Sequence, residues 1–139
     1  MKSCDPAGAA ARPLVSLGAG LFALLAVLSF AAAPALADGD AEAGRKVFSQ
    51  CIACHRAEEG KNLIGPSLFG VHGRPAASVE GFSYSPALKN SKLTWDDASL
   101  DKYLENPTAV IRGGRMAFPG VKDPKARADV IAYLKTLHK

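Results

Sequence analysis

Cys51-Ile52-Ala53-Cys54-His55 decides how this chain is read. Two thiols three positions apart, with a histidine directly after the second, form the attachment signature of a c-type haem. Each thiol can add across one vinyl group of the porphyrin, and the adjoining imidazole is then held where it can ligate iron. Other uses of the motif fit less well. A structural zinc site wants four Cys/His ligands, and beyond the motif only Cys4, His72 and His138 remain. A thioredoxin-like dithiol wants a βαβ setting, and no strand-rich run follows Cys54. A disulfide formed after export stays open as an alternative, but it gives His55 no task.

Upstream of the motif the chain changes character. Lys2 and Arg12 precede a charge-free run from Pro13 to Ala37, which ends in the small residues Pro34-Ala35-Leu36-Ala37. Basic start, apolar centre and an A-x-A end describe a secretory signal peptide, with cleavage expected between Ala37 and Asp38. The run is also long enough to span a bilayer, so an uncleaved membrane anchor is the alternative. No twin-arginine pair is present, so the chain is expected to cross the membrane unfolded and to receive its haem outside the cytoplasm. Cys4 lies ahead of the apolar core, the wrong place for a lipid-modified cysteine.

Residues 38–139 then form one domain, small enough for a covalent apolar macrocycle to serve as both staple and core. Of the whole chain's 17 basic and 13 acidic residues, Lys2, Arg12 and Asp5 leave with the first 37. The remaining 15 and 12 give a formal charge of +3. That is too weak for nucleic-acid binding, but enough to bias encounters with an acidic protein surface.

Downstream the pattern is helical with heavy loops. Asp40 can cap a helix over Ala41 to about Cys51, with Val47 and Phe48 inward. Gly60, Gly65, Pro66, Gly70, Gly73, Pro75 and Gly81 mark a long loop. Thr94 and Asp97 read as a capping box for a helix from Trp95 to Glu105, stopped by Pro107. Asp123-Pro124 opens a last helix through Leu137, with Arg127, Val130, Ile131, Leu134 and Leu137 along one stripe. No stretch alternates well enough for a strand.

Between the last two helices, Met116 is the one methionine besides the initiator. A lone methionine is usually core filler. This one sits in the Gly/Pro-rich loop Ile111–Gly120, far from His55, in a protein that needs a sixth iron ligand. Thioether is a soft ligand that raises a haem's reduction potential, so Met116 is the expected partner of His55.

Further stretches recur in order: Gly65-Pro66-Ser67-Leu68, Gly81-Phe82-Ser83-Tyr84, Thr94-Trp95, Tyr103-Leu104-Glu105-Asn106-Pro107, Met116-Ala117-Phe118 and Ile131-Ala132-Tyr133-Leu134. With the Cys51–His55 motif they make residues 39–139 closely resemble the class I c-type cytochromes, mitochondrial cytochrome c and its soluble bacterial relatives. The resemblance implies an all-α fold of three main helices and long loops wrapped around one haem c, bound through Cys51 and Cys54. It implies His55 and Met116 as iron ligands, with the other His55 ring nitrogen bonded to the Pro66 carbonyl and Tyr103 near the methionine sulfur. Arg74, Tyr84 and Trp95 resemble the residues that hold the haem propionates. Gly44, Phe48 and Tyr133 resemble the contact between first and last helices.

The resemblance further implies a monomeric periplasmic one-electron carrier, not an enzyme and with no small-molecule substrate. Its expected partners are acidic faces of redox proteins: a quinol–cytochrome c reductase, a terminal oxidase, a photosynthetic reaction centre or a periplasmic dehydrogenase. Arg112, Arg115, Lys122 and Lys125 around Met116 are the cations expected to meet them. The runner-up is a haem peroxidase or gas-binding protein, which needs an open distal position. Relatives commonly carry Pro and Thr where Arg112 and Gly114 stand, Asn in place of Leu88 and Lys in place of Gln50. Gly113-Gly114 is therefore expected to let the methionine loop open more readily than theirs.

Overall fold

The structure, a computed structural model, describes residues 38–138. The expected leader lies outside them. Five α-helices follow in chain order: α1 (Ala41–Val47), α2 (Pro86–Asn90), α3 (Asp97–Glu105), α4 (Pro107–Val110) and α5 (Pro124–Lys135). Among the described residues there is no strand, only an isolated antiparallel bridge between Pro75 and Thr94.

Local chemistry sets the helix starts. The Asp40 carboxylate caps α1, accepting from the Glu42 amide at 2.8 Å and the Ala43 amide at 3.2 Å. Asp123 caps α5, accepting from the Lys125 amide at 2.9 Å, and Pro124 occupies the first turn, where a missing N–H costs nothing. α1 tightens into a 3₁₀ turn over Phe48–Gln50 that delivers the chain to Cys51.

The core forms where α1 and α3 pack on α5. Phe48, Leu100, Leu104, Val130, Ile131 and Leu134 are buried together. Gly44 lets α1 approach closely, because a Cβ there would overlap the Asp129 carbonyl. Phe48 tilts against Tyr133 with ring centroids 5.0 Å apart. The buried Asp129 carboxylate accepts from the Asp40 amide at 2.7 Å and pairs with Lys125, tying the start of α1 to α5. Arg127 is also buried on the expected stripe, its Nε donating to Asp101 at 2.7 Å. Pairing is what makes such a burial tolerable.

Three details differ from the sequence expectation. α3 does not begin at Trp95, and Thr94 does not cap it. Asp96 does, accepting from the Ser99 amide at 2.8 Å. The cause is non-local: the Trp95 amide donates to the Arg74 carbonyl at 3.0 Å and its own carbonyl accepts from Gly73 at 2.9 Å. Both backbone groups are committed to the long loop and cannot join a helix. The second difference is two short helices where the sequence reading placed no element. Ser85-Pro86 and Asn106-Pro107 each supply a cap followed by an N1 proline. Pro107 therefore ends α3 and starts α4. α5 stops at Lys135, two residues short of Leu137, whose carbonyl instead accepts from the Gly70 amide. No helix of the described residues is long and apolar enough to cross a membrane.

Candidate functional site

The long loop, the α3–α5 pair and the segment after α4 enclose a cavity of about 400 Å³. Close-packed interiors leave few voids larger than a water molecule, so a chamber of this size in so small a domain is built to hold something. Leu68, Val71, Leu88, Leu100, Ile111 and Leu134 make its wall largely apolar. Cys51, Cys54, His55, Pro66, Arg74, Tyr84, Trp95, Tyr103 and Met116 all line it too. Every site residue expected from the sequence is thus brought to one chamber.

The thiols are presented by a single turn. Cys54 donates its amide to the Cys51 carbonyl at 3.1 Å, and His55 does so at 2.9 Å. Both cysteines are half-buried. Burial, with Cys54 alongside, pushes the Cys51 thiol up to about 11. An activated redox dithiol needs the opposite shift, which weakens the thiol-exchange reading.

His55 has one defined tautomer. Its Nδ1 lies 2.8 Å from the Pro66 carbonyl oxygen. A carbonyl only accepts, so Nδ1 carries the hydrogen and Nε2 keeps its lone pair for a metal. Burial lowers the imidazole pKa, partly opposed by the bond to Pro66, and so favours the neutral, ligating form. Gly65, expected only as part of the long loop, makes this ring position possible. A Cβ on it would stand 2.6 Å from His55 Nδ1.

Arg74 is half-buried and spans the loop, Nη1 donating to Phe69 at 2.7 Å and Nη2 to Ser67 at 3.0 Å. Tyr84 is buried, and its hydroxyl accepts from the Val79 amide at 3.3 Å. Trp95 and Tyr103 tilt against one another with centroids 4.8 Å apart. Burial raises the Tyr103 phenol's pKa, keeping it a neutral donor. Met116 enters the cavity from the loop after α4, in which Gly113 takes a φ of +82° and the Gly114 amide closes a turn on the Ile111 carbonyl at 2.9 Å. A Cβ on Gly114 would stand only 3.0 Å from that carbonyl oxygen, so a larger residue needs the turn to give by a few tenths of an ångström.

Two thiols, one imidazole nitrogen with a free lone pair and one thioether around an apolar chamber suit a covalently attached haem, and a haem with six-coordinate iron. The sequence comparisons point the same way. The family profile named Cytochrome c matches residues 41–138. The chain belongs to the cytochrome c family. It is 50% identical over 100 residues to a cytochrome c of Euglena viridis, covering 71% of this chain and 98% of that one. It is 53% identical over 107 residues to a cytochrome c2 of Rhodomicrobium vannielii, covering 76% of this chain and 86% of the relative. Among solved structures, cytochrome cH from Methylobacterium extorquens superposes with a TM-score of 0.67 at 49% identity, covering 70% of this chain and 99% of that one. As a family member the chain is an electron-carrying haem protein, not an enzyme, and its cofactor is covalent haem c.

The four cations expected to meet partners do not stand alike. Arg112 and Arg115 are exposed, with Arg115 Nη1 reaching the Ser83 carbonyl at 3.4 Å. Lys122 instead donates to the Glu105 carbonyl at 2.6 Å, and Lys125 pairs with Asp129.

Proposed function

We propose that this chain is an exported, periplasmic carrier of single electrons, with Cys51 and Cys54 joined to haem c and with His55 and Met116 as the iron ligands. One observation carries the reading: the His55 imidazole, with Nε2 unprotonated, shares one apolar chamber with the Met116 thioether and both thiols. When bound, haem c supplies the one-electron couple of its iron, ferrous to ferric and back.

The chain's own residues make that couple usable. The Pro66 carbonyl and Gly65 fix the His55 ring, so it need not turn when charge changes. The Met116 thioether would hold the iron coordination site at which peroxide or a small gas would otherwise bind. The apolar wall excludes water, and Arg74, Tyr84 and Trp95 are proposed to hold the two propionates within the loop. Residues 1–37 act as the leader in this reading, and acidic redox proteins dock beside Arg112 and Arg115.

Met116→Ala tests the ligand set. The oxidised wild type should be low-spin with the weak far-red band of a thioether on ferric haem. The variant should lose that band, show a lower potential and admit added cyanide. An unchanged spectrum would eliminate Met116 and favour a ligand elsewhere. For export, mass spectrometry of the periplasmic protein should find Asp38 as the first residue. An intact leader in the membrane fraction would favour the anchored form instead.

A further inference from the structure

The backbone of the segment that carries Met116 is hydrogen-bonded only at its ends. Among the described residues, no backbone N–H or C=O from Arg115 to Gly120 makes a hydrogen bond. The one side-chain bond in that stretch is the long reach of Arg115 to Ser83. On the N-terminal side the Gly114 turn on Ile111 is the last fixed point. On the C-terminal side the Val121 amide donates to Leu104 at 2.7 Å and Lys122 Nζ to Glu105 at 2.6 Å.

Arg127 completes that second anchor from α5. Its side chain is 8% exposed. Nη1 donates to the Val121 and Lys122 carbonyls, each at 3.0 Å, while Nε holds Asp101 at 2.7 Å. Val121 is itself buried and lines the cavity with Met116. One planar guanidinium therefore ties α3, α5 and the end of the methionine segment together. A lysine ammonium has no fork to span two successive carbonyls and a carboxylate.

We infer that Arg127 is a positioning residue for Met116, setting where the methionine segment re-enters the fold and how readily it lifts away from the iron. The inference rests on the reading of Met116 as a ligand. Without Arg127, the Val121 and Lys122 carbonyls lose their donor in a buried setting, and the anchor shrinks to one backbone bond and an exposed lysine. Opening of the segment then becomes easier while the α1–α5 contact, made by other residues, stays in place.

The test uses the oxidised holoprotein and compares Arg127→Gln and Arg127→Lys with Ile131→Val, a core change on α5 that leaves the anchor alone. Two quantities are read: the rate of cyanide binding to the iron, which requires Met116 to leave, and hydrogen exchange at the Val121 amide. Arg127→Gln should bind cyanide about tenfold faster, the size expected on losing hydrogen bonds from a charged donor, with Val121 exchanging correspondingly faster. Arg127→Lys should fall between it and wild type. Ile131→Val should lower the guanidinium unfolding midpoint without moving either quantity. If Arg127→Gln does not fold, Arg127→Lys decides alone. An Arg127 variant no faster than Ile131→Val at equal loss of global stability would overturn the inference. A wild type without the far-red band would instead remove Met116 as ligand, and this inference with it.

Discussion

His55 Nδ1 and the Pro66 carbonyl oxygen stand 2.8 Å apart, with Gly65 against the ring between them. The hydrogen bond chooses the tautomer, and the glycine chooses the ring's place. Gly65→Ala should therefore act on the ligand as well as on the fold. Its Cβ would lie 2.6 Å from Nδ1, and relieving that overlap costs about 1–3 kcal/mol, as overpacking generally does. The measurements are the guanidinium unfolding midpoint and the reduction potential of the holoprotein. A variant unchanged in both would mean that the ring has room to move.

The α1–α5 crossing makes a second prediction. Gly44→Ala puts a methyl group into the Asp129 carbonyl, which is backbone of a packed helix and cannot swing aside. The loss should reach the upper end of overpacking effects, about 3 kcal/mol. Gly60→Ala serves as the comparison. Nothing lies within 4 Å of a Cβ there, but its φ is +69°, so the cost is conformational alone, about 1–2 kcal/mol. Equal losses at the two positions would contradict the close-approach account.

What could be read in the chain divides by how local its cause is. The gathering of Cys51, Cys54 and His55 at the cavity was legible because their spacing fixes them along one turn. Asp40 and Asp123-Pro124 were legible because caps bond within three residues. Met116 stood out by rarity. Trp95 was misplaced in a helix because its backbone partners, Gly73 and Arg74, lie some twenty positions away. The space needed at Gly65 depends on a ring ten residues earlier. Arg127 read correctly as inward-facing, yet nothing in the sequence tells which carbonyls a buried guanidinium will find.

Acid should weaken the fold partly through Asp129. Hydrogen bonding from Lys125, then from the Asp40 amide, lowers its pKa in the folded chain. The unfolded carboxyl titrates near pH 4. A folded value below the unfolded one means stability that is present above about pH 4 and is lost as the pH falls toward the folded value. Asp129→Asn removes that dependence while leaving an oxygen for the Asp40 amide. Melting temperatures of the two proteins should differ at neutral pH and converge below about pH 4. A gap that stays constant with pH would exclude Asp129 as a source of acid sensitivity.

Partner encounter gives the last prediction, and the structure narrows it. Of the four cations near Met116, Lys122 donates to the carbonyl at the end of α3, and Lys125 has its charge offset by Asp129. Arg112 and Arg115 are exposed on either side of Gly113-Gly114, and Arg115 also lines the cavity proposed to take the haem. A charge beside the cofactor steers encounter where electron transfer is shortest. Exposed charges are screened beyond about 8 Å at physiological ionic strength, so rates with an acidic partner should fall steeply as salt is added. Arg115→Glu should slow the bimolecular rate at low salt and flatten that dependence, since rim charges act mainly on association. Lys125→Glu should cost stability through Asp129 but change the salt dependence much less. Stopped-flow electron transfer from a purified quinol–cytochrome c reductase, or to a purified terminal oxidase, measured across ionic strength, separates the two. If Lys125→Glu flattened the curve and Arg115→Glu did not, docking would lie on the α5 side of the molecule rather than at the methionine loop.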